Sequence, residues 1–161
     1  MQSKLTMRTE GRIIETARAR LATGTERTLV IIKPDGVERD LEHNIFAYFD
    51  DTALLFGARR VKTVGIPGFR VTQELLERFY ADAIRRHGSV IKKKYIPEFV
   101  GRPLIVALYE GPVGIRREIK RELGDMDPAN AERGTVRGDF GDDSLELAVK
   151  KGRALRNLAH A

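Results

Sequence analysis

The sequence contains no cysteine, and only three of its 161 residues are histidine. The first absence excludes a disulfide framework, a cysteine nucleophile and thiolate metal sites. The histidines, His43, His87 and His160, are too scattered for a metal cage, and no H-x-x-x-H pair exists, so no protein-held metal is expected. Long apolar runs are missing too. The longest, Leu104 to Tyr109, is far too short to span a bilayer. The first residues carry Lys4, Arg8 and Glu10 where a signal peptide would have its apolar core, so a cytoplasmic protein with no membrane partner is expected. There is also no G-x-x-x-x-G-K-[ST] loop, which means that any phosphate must be cradled by side chains instead.

Basic residues are abundant, with a formal charge of +6. Positive surface attracts polyanions, but the basic residues are spread along the chain, aromatics are only 7%, and no nucleic-acid signature is present. Small anions explain the sign equally well, and nucleic acid is not the expected partner. The length fits a single domain with a small appendage. Within the first 25 residues, Ile13, Ala17 and Leu21 fall at helical spacing, which predicts a short amphipathic helix over 12–21.

The chain is organised around Arg27 to Gly36. A β-branched apolar run, Thr28 to Ile32, ends in Lys33, Pro34 and the turn pair Asp35-Gly36, so Lys33 stands where apolar packing stops. Leu41, Ile45 and Phe49 then predict a core helix stopped by Gly57. A second strand is expected over 58–66. Thr72 caps a second helix with Leu75, Leu76, Phe79, Tyr80 and Ile84 on its stripe, ended by Gly88. The lysine run Lys92 to Lys94 reads as a solvated face. A third strand runs from Pro103 to Tyr109, and a third helix opens at Glu110-Gly111-Pro112 and ends at Gly124. Residues 125–140 lose periodicity, and a loop of that length in a compact domain is usually functional, which draws attention to Arg137. Asp143 and Glu146 look like a capping box for a short inserted helix, and Ala154 to His160 like a final strand. This alternation predicts an α+β sandwich, with the ferredoxin-like βαββαβ antiparallel sheet as its natural form.

Three ordered blocks closely resemble nucleoside diphosphate kinases: Ile32-Lys33-Pro34-Asp35-Gly36-Val37, Gly134-Thr135-Val136-Arg137-Gly138-Asp139-Phe140, and Arg156-Asn157-Leu158-Ala159-His160. The resemblance implies an enzyme that moves the γ-phosphate of a nucleoside triphosphate to a diphosphate through a phosphohistidine. It implies Mg2+ on the nucleotide phosphates and a homo-oligomer, hexamer or tetramer. It makes His160 the nucleophile, and a neutral imidazole suits that task near pH 7. Phosphoryl transfer needs fixed cations more than a base, and the matching nucleotide-binding residues are Lys33, Arg137 and Asn157, with Tyr80 beside the histidine.

The sequence departs from the family pattern at several points. Lys120 stands where the family usually has an arginine, losing the bidentate fork, and Met126 stands where it has a threonine. Tyr95 and Phe99 are the candidates for stacking on the base. The family continues past its histidine with a tail whose carboxylate orients the imidazole. The expected organisation is therefore an N-terminal extension over 1–25 and a kinase-like domain over 26–161 without that tail. A nucleotide-binding protein with weak or no turnover is the competing reading.

Overall fold

The apolar run that opens the domain becomes the buried half of β1 (Thr25–Ile32) in a computed structural model, which describes residues 24–161. Strand alternation sends Val30 and Ile32 to one face and Leu29 and Ile31 to the other. β1 lies between β3 (Leu104–Pro112) and β4 (Ala159–His160), and β2 (Arg59–Ile66) closes the far side of β3. The sheet order is β2-β3-β1-β4, with every neighbouring pair antiparallel.

Among the described residues, seven α-helices connect and cover these strands: α1 (Pro34–Val37), α2 (Glu42–Leu55), α3 (Gln73–Phe79), α4 (Ala81–His87), α5 (Ile115–Leu123), α6 (Val136–Phe140) and α7 (Leu145–Lys150). The long helices α2 and α5 share one face of the sheet, where Ile45, Phe49, Ile119 and Leu123 pack on Val30, Ile32, Ala107 and Tyr109. Each such buried side chain contributes about 1.5–3 kcal/mol. This is the expected ferredoxin-like α+β arrangement. A second, smaller cluster covers one end of the opposite face, with Val71, Leu76, Ile96 and Phe99 over Ile31 and Leu104.

Several boundaries differ from the sequence reading. The second helix breaks at Tyr80, whose φ of −89° and ψ of 16° separate α3 from α4. Gly111 and Pro112 extend β3, and α5 starts only after Gly114, whose φ of +105° turns the chain. The inserted helix is present, but Ser144 caps it by accepting from Leu147 N–H at 3.1 Å. Asp143 instead pairs with Arg153 through both carboxylate oxygens, at 2.6 and 2.9 Å. The final strand shrinks to two residues, because Asn157 and Leu158 are drawn into a turn by the site described below. The helix expected over 12–21 lies outside the described residues. Among the described residues, no helix is long and apolar enough to cross a membrane.

Candidate active site

β1 ends at Ile32, and the next residue, Lys33, is buried at 6% exposure. Its amide donates to Leu158 carbonyl at 2.8 Å, continuing the pairing of β1 with the C-terminal segment, while its ammonium donates to Asn157 Oδ1. Desolvation lowers its pKa to about 8, with Arg137 adding to the effect and Asp35 opposing it.

Arg137 reaches the same place from the loop that sequence reading singled out. Thr135 caps α6 by accepting from Gly138 N–H at 3.2 Å, and Asp139 accepts from Gly134 N–H at 3.0 Å. A side chain at Gly138 would collide with the carbonyl of Glu132, so glycine is required for this close turn. The result aims Arg137 inward at 6% exposure. Its guanidinium donates to the carbonyls of Asn157 (3.1 Å), Gly124 (3.2 Å), Asp125 (3.0 Å) and Ala159 (2.9 Å). Burial lowers its pKa to about 10, which leaves it charged at neutral pH.

Between those anchors the chain makes a γ-turn. Ala159 N–H donates to Asn157 carbonyl at 2.7 Å across Leu158, whose φ is +67°. That backbone costs a non-glycine residue roughly 1–3 kcal/mol. Burying the Leu158 side chain at 1% exposure in the main core offsets most of it. Asp35 Oδ2 accepts from Leu158 N–H at 2.9 Å, and Asn157 Nδ2 donates to Met126 carbonyl at 2.9 Å. The absence of a side chain at Gly36 lets α1 approach the Leu158 carbonyl.

His160 follows this turn on β4, paired with Ile31 of β1. Its other flank is aromatic: the Phe79 ring lies edge-on at 5.8 Å between centroids, and Tyr80 at 6.2 Å. His160 keeps a face open to solvent, yet its pKa falls to about 4, through desolvation first and then the charges of Lys33, Arg137 and Lys120. The imidazole is therefore neutral at pH 7. Tyr80 is pushed up to about 12, chiefly by burial.

The fold thus brings Lys33, Asn157, Arg137, Tyr80 and His160 together, with exposed Lys120 on α5 close enough for its charge to act on the imidazole. Phe99, one of the two base-stacking candidates, is buried at 6% exposure with the Lys33 ammonium 5.8 Å from its ring centre. Tyr95 is half-buried against the same cluster. Sequence reading missed Asp35, taken only as turn chemistry, and Phe79, taken only as part of a core stripe. It had no means of finding the carbonyls of Gly124, Asp125 and Met126, which depend on loop geometry alone.

The family model for nucleoside diphosphate kinase matches residues 26–161. The nucleoside diphosphate kinase of Pyrococcus abyssi is 36% identical over 137 residues, covering 84% of this chain and 74% of the relative. That of Pyrobaculum aerophilum is 32% identical, covering 84% and 86%. Among solved structures, a transition-state mimic of the Borrelia burgdorferi nucleoside diphosphate kinase with bound vanadate and ADP superposes with a TM-score of 0.71 at 28% identity, covering 84% of this chain and 77% of that one. With the sheet order, the matched residues and these relatives in agreement, the chain belongs to the nucleoside diphosphate kinase family.

Proposed function

We infer that this nucleoside diphosphate kinase transfers the γ-phosphate of a nucleoside triphosphate to a nucleoside diphosphate in two steps, through a phosphohistidine on His160. In the first step an unprotonated ring nitrogen attacks the γ-phosphorus. The N–P bond forms, the bond to the β–γ bridging oxygen breaks, and that oxygen leaves with the electron pair on the diphosphate product. In the second step the terminal oxygen of another nucleoside diphosphate attacks the same phosphorus, and the N–P bond breaks to return the imidazole. The observation that carries this reading is geometric: the His160 imidazole, at the end of β4 with a face open to solvent, stands beside the buried cations Lys33 and Arg137 with Lys120 close by.

In this reading Lys33, Tyr80, Lys120, Arg137 and Asn157 form the nucleotide-binding set. The cations offset charge that spreads over the phosphoryl oxygens as the bonds change. A cationic lining suits Mg2+ that arrives on the substrate's own phosphates, as the magnesium–nucleotide complex, better than Mg2+ held by protein ligands. It also leaves Met126, whose side chain has no donor, outside the charged set.

A cytoplasmic homo-oligomer, hexamer or tetramer, is part of the proposal. Its support is the edge strand β2, where Val61 and Val64 are 41% and 44% exposed beside a groove of about 730 Å3 along α2. An edge with apolar side chains that is unpaired among the described residues is a surface that other copies can cover. The domain boundary at residue 26 belongs to the same reading.

The test is incubation with γ-labelled ATP. The chain should take up acid-labile, alkali-stable label that added nucleoside diphosphate removes as triphosphate, and His160→Ala should take up none. Label persisting in His160→Ala would refute the assignment of the nucleophile.

A further inference from the structure

Lys33 and Arg137 have to face the phosphates of one nucleotide, yet they are carried by different parts of the fold. Lys33 follows β1 inside the sheet, whereas Arg137 projects from α6. A helix of five residues is too short to hold its own direction, so its attachments to the rest of the molecule decide where Arg137 points. The bonds of the guanidinium to the carbonyls of Asn157, Ala159, Gly124 and Asp125 act at the far end of a long side chain and leave α6 able to pivot about them. A second attachment lies at the other end of α6. Asp139 accepts from the Tyr48 hydroxyl through Oδ2 at 2.5 Å, and from Gly134 N–H through both oxygens at 3.0 and 3.1 Å. Beside it the Phe140 ring meets the Tyr48 ring edge-on, 5.5 Å between centroids.

Tyr48 stands on α2, whose Ile45 and Phe49 are buried in the main core against the sheet. That sheet also places Lys33, through β1, and His160, through β4. The Tyr48 hydroxyl therefore ties α6 to the frame that carries the other two groups. The bond to Tyr48 is the main cause holding the Asp139 carboxyl below the ordinary carboxylate range, and the same bond pushes Tyr48 up to about 12. Arg133, 3.6 Å from Asp139, is 87% exposed and adds little. We propose that Tyr48 is a positioning residue for phosphoryl transfer, which fixes the tilt of α6 through Asp139 and so the aim of the Arg137 guanidinium at the phosphates. The inference rests on the phosphohistidine reading and on Arg137 belonging to the nucleotide-binding set. A full ångström of misplacement costs about 100-fold in rate, and because the carbonyl bonds of Arg137 remain when the hydroxyl is lost, a smaller displacement and about a tenfold loss are expected.

Tyr48→Phe removes one oxygen and leaves the ring against Phe140. At saturating γ-labelled ATP, the rate of His160 labelling should fall about tenfold, while the ADP dissociation constant measured by calorimetry rises less than about threefold, because the charge that Arg137 meets develops during transfer. A double-mutant cycle separates positioning from a merely structural role. In an Arg137→Lys background, where the fork that Tyr48 aims is gone, Tyr48→Phe should change labelling by less than about twofold. An equal fold loss in both backgrounds would overturn the proposal, and so would labelling within about twofold of the parent in Tyr48→Phe alone. If Arg137→Lys does not fold by circular dichroism, Asp139→Ala takes its place in the cycle, because Tyr48 has nothing to act through once that carboxylate is removed. In the unliganded protein the Arg137 Nε–H resonance should shift in Tyr48→Phe, and an unmoved resonance would also overturn the proposal. Failure of the phosphohistidine reading is separate: the parent chain would take up no label, while the shift of the Arg137 resonance would still be read.

Discussion

The two flanks of His160 are built from different materials. On one, Lys33, Asn157 and Arg137 are buried and hydrogen-bonded to one another's segments. On the other, Phe79 and Tyr80 touch the imidazole only by ring edges, and among the described residues no side chain hydrogen-bonds to the ring. Behind the aromatic flank lies a small apolar cavity of about 110 Å3, lined in part by Leu29, Ile31 and Leu75, and Phe79 at its mouth is 38% exposed. The polar flank fixes where the backbone of the nucleophile goes, and the aromatic flank sets how dry the ring is. Directional bonds tolerate little displacement, whereas an edge contact beside a cavity has slack.

Burial and the charges of Lys33, Arg137 and Lys120 both push the imidazole toward its neutral form, and the pH profile is the largest effect by which to separate the two flanks' shares. His160 is lowered to about 4 and Lys33 to about 8. Only the unprotonated imidazole attacks, so single-turnover labelling should fall about tenfold per pH unit below pH 4. It should be flat between about 5.5 and 7, and decline above pH 8 as Lys33 loses its charge. Desolvation is the larger cause of the His160 shift, so Phe79→Ala should move the acidic limb upward more than Lys120→Gln does. The reverse order would assign the neutral imidazole to the cations and break the comparison.

On the polar flank, Asn157→Leu keeps the volume but removes the acceptor of the Lys33 ammonium and the donor to Met126 carbonyl. Leaving a buried ammonium without its partner should cost about 3 kcal/mol, read as a lower urea midpoint at constant slope. A loss below about 1 kcal/mol would mean that the ammonium finds another acceptor and that this flank has slack after all.

The insertion extends the polar flank. Asp143, with its side chain 2% exposed, binds Arg153 at 2.6 Å and accepts from Arg156 N–H at 2.9 Å, next to Asn157. These bonds to Arg153, with the Arg156 amide also contributing, hold its pKa at about 2, below the ordinary carboxylate value. A depressed carboxylate stabilises the fold above its unfolded pKa, and that stability is lost as pH falls toward the folded value. Asp143→Asn should therefore be less stable than the parent by roughly 2 kcal/mol at pH 7, with the gap closing between about pH 4 and pH 2. Urea unfolding at several pH values checks this, and a gap independent of pH would place the effect outside the carboxylate's charge.

The contrast also accounts for what could be read from the chain alone. Lys33, Arg137, Asn157 and His160 lie in the three short blocks that resemble nucleoside diphosphate kinases, and it was that resemblance, more than composition, that made their convergence legible before any coordinates. The strand and helix order was legible for a more local reason, since Val30, Ile45 and Ile119 sit in strong local periodicities that the fold obeys. The inserted helix was legible, but its cap was not, because Asp143 and Ser144 are both good caps and only the position of Arg153 decides between them. The final strand was too long as read, because an alternating pattern carries no sign of the positive φ at Leu158. The aromatic flank was the least visible. Phe79 and Tyr80 fit a helical core stripe, and only the break at Tyr80 turns them toward His160.

The smallest effects are expected on that flank. Phe79→Ala removes one edge contact from a half-open site beside existing free volume, and should cost about 1 kcal/mol of stability. Tyr80→Phe is the finer probe. The Tyr80 hydroxyl has no hydrogen-bond partner recorded among the described residues, and its elevated pKa of about 12 comes mainly from burial. Removing the hydroxyl leaves the ring against His160 and Phe99, at 6.2 and 6.1 Å between centroids. Stability should stay within about 0.5 kcal/mol of the parent, and saturating labelling of His160 within about threefold. A tenfold fall in labelling at unchanged stability would show that the hydroxyl orients the imidazole during transfer, and that the aromatic flank is a directional one too.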